Sequence, residues 1–109
     1  MDIEQIFNQV KAHLLKQNQQ SKQGMFCKYR NYGLMCAVGC LITNQEYVEE
    51  REGNGVSYIT RTYPNAFQHL DLTDAKVEML VDLQELHDDT LPHAWPTGLD
   101  VIYNKFVAH

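Results

Sequence analysis

Basic residues are scarce in this chain. It carries nine Lys and Arg against fourteen Asp and Glu, a formal net charge of −5. The shortage is concentrated in residues 53–109, where Arg61, Lys76 and Lys105 face Asp71, Asp74, Glu78, Asp82, Glu85, Asp88, Asp89 and Asp100, while residues 1–52 are balanced. Phosphate backbones are bound by Lys and Arg, so an acidic half argues against direct nucleic-acid binding and for a protein partner with a basic surface. No apolar run approaches the roughly 20 residues of a bilayer-spanning helix, so no membrane partner is expected. The start, Met1-Asp2-Ile3-Glu4, lacks the basic residues and apolar run of an export signal. With three cysteines, an odd number, this predicts reduced thiols and a cytoplasmic setting. A Cys-x-x-Cys pair is missing, as are an internal repeat, a low-complexity tail and a linker long enough to divide domains. Gly53-x-Gly55 lacks the lysine and third glycine of a phosphate-cradling loop.

What remains predicts a mainly α fold. At 109 residues and 44% apolar, the chain reads as a single domain over residues 1–109 with one core. Ile3, Ile6, Phe7, Val10 and Leu14 recur at helical steps, and Asp2 with Gln5 forms a capping-box pattern. This predicts a first helix over residues 3–20, its glutamine-rich end in solvent and Gly24 as terminator. The strongest helix is Asp74–Asp89, capped by Thr73, with Ala75, Met79, Leu80, Leu83 and Leu86 on one face. Leu91-Pro92 ends it. Pro96 and Thr97 open a final helix whose apolar face is Leu99, Ile102, Tyr103 and Phe106, with Trp95 plugging the core beside it.

The middle is harder to read. Phe26–Tyr29 suits a short strand, and Arg30-Asn31-Tyr32-Gly33 a turn in which Gly33 supplies a positive φ. Leu34–Ile42 is apolar on all sides; its small Ala37 and Gly39 suggest a short helix crossing close to another element. Thr43-Asn44-Gln45-Glu46 is a second capping-box pattern, opening a charged helix that ends by Gly53. Val56–Thr62 fits helix or strand, and Pro64 pushes Tyr63 toward an extended backbone. The expected architecture is a compact single-domain bundle of four or five helices, with a short β-ribbon near residues 26–36.

Cys27-x-Tyr29, Gly33-x-x-Cys36-Ala37-Val38-Gly39-x-Leu41-Ile42, Tyr47 and Glu52-Gly53, followed by Leu83-Gln84-x-x-His87-Asp88, Pro92, Trp95, Leu99 and His109, form a pattern. It resembles that of small proteins of bacteriophages and prophages. In that pattern the position of Cys40 is often another residue, which weakens any role that needs three thiols. The resemblance brings no activity. It implies a setting: a phage or prophage accessory protein in bacterial cytoplasm, of a kind that often inhibits or modifies a host system, such as a defence system.

Four constellations have chemistry to offer. The row Asp74, Glu78, Asp82, Glu85 and Asp89 falls within an arc of roughly 80° on the long helix. It reads first as a solvated face, and second as the contact surface for a basic partner, the surface preferred for any such contact. Tyr29, Arg30 and Tyr32 combine aromatic rings with a cation, a pattern for binding a small ligand or nucleotide. Cys27 or Cys36 with His87 and Asp88 has the residue types of a thiol–imidazole–carboxylate set. However, neighbouring residues of one helix point about 100° apart, which places Asp88 poorly for orienting His87. Cys27, Cys36 and Cys40 with a histidine make a conceivable Cys₃His metal set if Cys36 and Cys40 share a helical face. Since free cysteine behaves as a small hydrophobe, core packing is the expectation for the thiols, with no metal and no cofactor. The favoured function is non-catalytic inhibition of a host protein. The alternatives are a small-ligand binder and a Cys/His-dependent enzyme.

Overall fold

In the computed structural model, residues 1–23, 26–42, 52, 55–62 and 64–108 are described. Helix α1 spans Ile3–Gln17 and starts on the expected capping box: the Asp2 carboxylate accepts from Gln5 N–H and the Gln5 side chain accepts from Asp2 N–H. It ends earlier than its polar tail suggested. Asn18 takes the left-handed conformation at φ 48° and returns its N–H to the Leu14 carbonyl, so asparagine is the terminator. Gly24, predicted for that role, lies outside the described residues.

The chain then makes two short antiparallel ribbons. Strand β1 (Lys22–Gln23) pairs with β2 (Phe26–Cys27), and β3 (Arg30–Asn31) pairs with β4 (Leu34–Met35). Tyr32 and Gly33, at φ 49° and 85°, form the two-residue connection of the second ribbon. Two positive φ values suit the right-handed twist of a tight hairpin. The helix expected over Leu34–Ile42 is absent. That stretch is β4, a turn, and one 3-10 turn at Gly39–Leu41. The close approach expected of Gly39 is present, since a Cβ there would lie 1.9 Å from the Tyr29 carbonyl oxygen. The capping box at Thr43–Glu46, the helix expected after it, Gly53-Asn54 and Tyr63 fall outside the described residues.

Helix α2 (Val56–Thr62) settles the helix-or-strand ambiguity there, and a 3-10 segment follows over Pro64–Leu70. Helix α3 spans Asp74–Asp89, its N-terminus capped by the Thr73 hydroxyl, as its sequence predicted. A 3-10 turn at Pro92–Ala94 leads into α4, Trp95–Phe106, which starts one residue before Pro96 and without a side-chain cap. Helix α4 packs against α3 and α1, and α2 packs against α3. Gly98 lets α4 close on α3, for a Cβ there would lie 2.3 Å from a Leu86 methyl. The core gathers Phe7, Val38, Ile59, Leu83, Trp95 and Leu99 from all parts of the chain. Trp95 is fully buried between the last two helices, as expected. The architecture is a mainly α bundle carrying two small β-ribbons. Among the described residues no helix is long and apolar enough to cross a membrane.

Candidate functional site

Helix α3 differs from its sequence reading on one face. Met79, Leu80 and Leu83 are buried as expected, but Ala75 is exposed and Leu86 half-buried. Gln84 and His87 take the inner places instead. The buried arc is therefore turned toward two polar residues. Polar side chains enter a core when their hydrogen bonds are made there, and here they are.

A chain of bonds runs across this face. Val38 N–H donates to Gln84 Oε1 at 3.0 Å, and Gln84 Nε2 donates to Asp88 Oδ1 at 2.9 Å. His87 Nδ1 lies 2.7 Å from the same Asp88 oxygen, and Ser21 N–H donates to His87 Nε2 at 2.9 Å. A backbone N–H can only donate, so Nε2 must be the bare nitrogen and Nδ1 the protonated one. The imidazole is fully buried and stacks on Trp95 with ring centroids 5.6 Å apart. Gln20 completes the junction by donating to the His87, Asp88 and Thr90 carbonyls at the C-terminal end of α3. Trp95 Nε1 also donates to Thr90 O, at 2.9 Å.

The expectation that Asp88 is poorly placed to orient His87 is overturned by that 2.7 Å contact. Successive side chains leave the helix about 100° apart, but α3 stops one residue later, at Asp89, and the two side chains bend toward each other. Cys27 joins them from β2. Its Sγ lies 4.0 Å from the Asp88 carbonyl oxygen, and thiol, imidazole and carboxylate donor atoms all fall within 4.8 Å of one another.

The hydrogen-bond partners of these groups decide their chemistry. Thiol catalysis needs the imidazole against the sulfur and the carboxylate behind it. Here both imidazole nitrogens are committed, Nδ1 to the Asp88 carboxylate and Nε2 to the Ser21 N–H, so neither is left to take the thiol proton. Burial, then the negative Asp88, push the Cys27 thiol up from 9.0 to about 11. That surrounding opposes the thiolate. The same three residues are a potential metal-donor set. Coordination through Nδ1 would move its proton to Nε2, against the Ser21 N–H, and would need the thiolate that the site disfavours. The donors as arranged do not fit a metal.

The other predicted residues lie elsewhere. Cys36 is fully buried; its sulfur accepts from Gly39 N–H at 3.2 Å, and burial drives its pKa well above the ordinary thiol range. Cys40 donates to Ala37 O, and burial pushes it up to about 12. Because no helix carries Cys36 and Cys40, the shared helical face assumed for a Cys₃His set does not form. Tyr29 is buried in the core, its phenol raised by burial, whereas Tyr32 is 94% exposed. The Arg30 guanidinium donates to Ile42 O, and the Tyr29 and Arg30 N–H groups donate to the Glu52 carboxylate.

The acidic row occupies the face of α3 opposite the core. Asp74, Glu78, Glu85 and Asp89 are exposed, while the half-buried Asp82 pairs with Lys105 of α4 at 2.9 Å. Between α3 and α4 this face borders a groove of about 430 Å³ lined by Leu86, Gly98, Val101 and Ile102 and edged by Asp82, Glu85 and Asp89. Ser21, Gln20 and Gln84 are the structural residues that sequence reasoning missed. Gln84-x-x-His87-Asp88 spacing was visible, but its partners in the segment 20–38 were not.

No protein-family model, curated protein or solved structure matches this chain.

Proposed function

We propose that the protein acts without catalysis, as a phage-type accessory protein that binds a basic surface of a host protein and inhibits it. The observation that carries this reading is the outer face of α3: Asp74, Glu78, Glu85 and Asp89 stand exposed, and Glu85 and Asp89 edge an apolar-floored groove in which Val101 is 62% exposed. Among the described residues, Lys105 is the one cation paired with the row, and it engages Asp82. Lys76, on the same helix, spends its ammonium on the Leu70 and Asp71 carbonyls. Carboxylates left unneutralised around an apolar floor suit a partner that brings its own lysines and arginines together with an apolar side chain. The bacterial host rests on the sequence resemblance. The reading as a thiol enzyme lacks an activated nucleophile, and the reading as a ligand binder through Tyr29, Arg30 and Tyr32 must reconcile a buried ring with an exposed one.

The test is affinity capture from bacterial lysate. A partner held by this face is released as salt rises to about 500 mM and is lost when Asp74, Glu78 and Asp89 become lysine. A partner that survives both treatments is bound by another surface, and the proposal fails.

A further inference from the structure

A second concavity lies on the other side of α3, against α2. It measures about 460 Å³, within the range of small-molecule sites. Val56, Tyr58 and Val81 give it apolar walls, with the Tyr58 ring 47% exposed. Its charged lining is of both signs: Arg61 from α2, and Glu85 and Asp88 from α3. Opposite charges that share a pocket ordinarily pair. Among the described residues, these do not: the Arg61 guanidinium bonds only the Ser57 carbonyl, through Nε at 3.1 Å, and its terminal nitrogens take no carboxylate.

Asp88 is also built to receive something. The hydrogen bonds from Gln84 Nε2 and His87 Nδ1 both fall on its Oδ1. His87 is fully buried and Gln84 nearly so, which fixes the orientation of the carboxylate. The Cys27 thiol stands against the same carboxylate, and the side chain keeps 33% exposure. A rigid, part-exposed carboxylate is the pre-organised half of an ammonium site. Across the pocket, Arg61 offers the matching half for a carboxylate.

We infer that the pocket between α2 and α3 binds a small aminocarboxylate zwitterion with an apolar side chain, of the amino-acid class. Its ammonium is held by Asp88 and Glu85, its carboxylate by Arg61, and its apolar part lies against Tyr58 and Val81. Glu85 also edges the outer groove, but Arg61 and Asp88 do not, and the inference does not depend on the partner-binding reading.

The experiment is a nitrogen-15 amide titration of the full chain with three probes: L-phenylalanine, phenethylamine, which lacks the carboxylate, and 3-phenylpropionate, which lacks the ammonium. L-Phenylalanine is expected to shift the amides of residues 55–61 and 81–88 saturably. Each truncated probe should bind about tenfold or more weakly, the cost of one charged hydrogen-bonding partner. Arg61→Met should erase the advantage of L-phenylalanine over phenethylamine while the protein stays folded, because Arg61 is exposed. Asp88→Asn should erase its advantage over 3-phenylpropionate. The inference is overturned by equal binding of all three probes, by shifts outside these two helices, or by no saturable shift up to about 10 mM.

Discussion

Two regions of this molecule are held together by different means. The α3–α4 pair is closed by apolar packing: Leu83, Trp95, Leu99 and Gly98 let two long helices meet with few side-chain bonds between them. The segment from Gln20 to Ile42 has strands of two residues each and little ladder to offer its own backbone. Its N–H and C=O groups are instead satisfied by side chains from outside. Gln17 bonds both the N–H and the carbonyl of Met35, and His13 lies 2.8 Å from that carbonyl. Gln84 takes Val38 N–H and His87 takes Ser21 N–H, while Glu52 takes the Tyr29 and Arg30 N–H groups. Buried backbone groups must find partners, and a segment too short for a sheet must find them in side chains. The Cys27, His87 and Asp88 grouping, which resembles reactive machinery by composition, belongs to this scaffolding.

Removing the central partner should break the contrast most. His87→Leu leaves Ser21 N–H and Asp88 without their ring and disturbs the Trp95 stack, so urea unfolding should show a loss of about 4 kcal/mol. Leu99→Ala in α4 should cost about 3 kcal/mol by cavity formation, yet leave the Ser21 and Val38 amides as slow to exchange, relative to global unfolding, as in the native protein. Hydrogen exchange read by NMR separates the two: a local opening of residues 20–38 is expected for the histidine variant alone. Gln84→Met, which strands Val38 N–H, should cost about 2 kcal/mol, and Asp2→Ala about 1 kcal/mol through the α1 cap.

The thiol gives a test in pH. Since Cys27 is raised from 9.0 to about 11 in the folded state, the fold binds its proton more tightly than the unfolded chain does. The stabilisation is complete below pH 9.0 and lost as pH climbs toward 11. At pH 8 the thiolate fraction should be about 100-fold below that of an ordinary cysteine. Iodoacetamide should therefore label Cys27 far more slowly in the folded protein than in urea, although the side chain is only partly buried.

The same contrast explains what the sequence made legible. Helix α3 could be read to its ends because Thr73 is a cap and the apolar residues keep helical step. The outer acidic row followed from the same periodicity. The inner face was read slightly wrong because Gln84 and His87 count as polar in any hydrophobic pattern, and their burial depends on partners 46 and 66 residues away. For the segment 34–42 no periodicity existed to read: two residues of strand and one 3-10 turn are shorter than either repeat. Glycine was the useful signal there, since Gly39 marks close approach to Tyr29 whatever element carries it.

The nitrogen-15 spectrum of the His87 imidazole reaches the centre of this account. A structural junction requires a neutral ring protonated at Nδ1, with Nε2 receiving the Ser21 amide and Cys27 a thiol at neutral pH. An imidazolium facing a Cys27 thiolate, or a ring protonated at Nε2, would contradict it and return the three residues to the status of a reactive site.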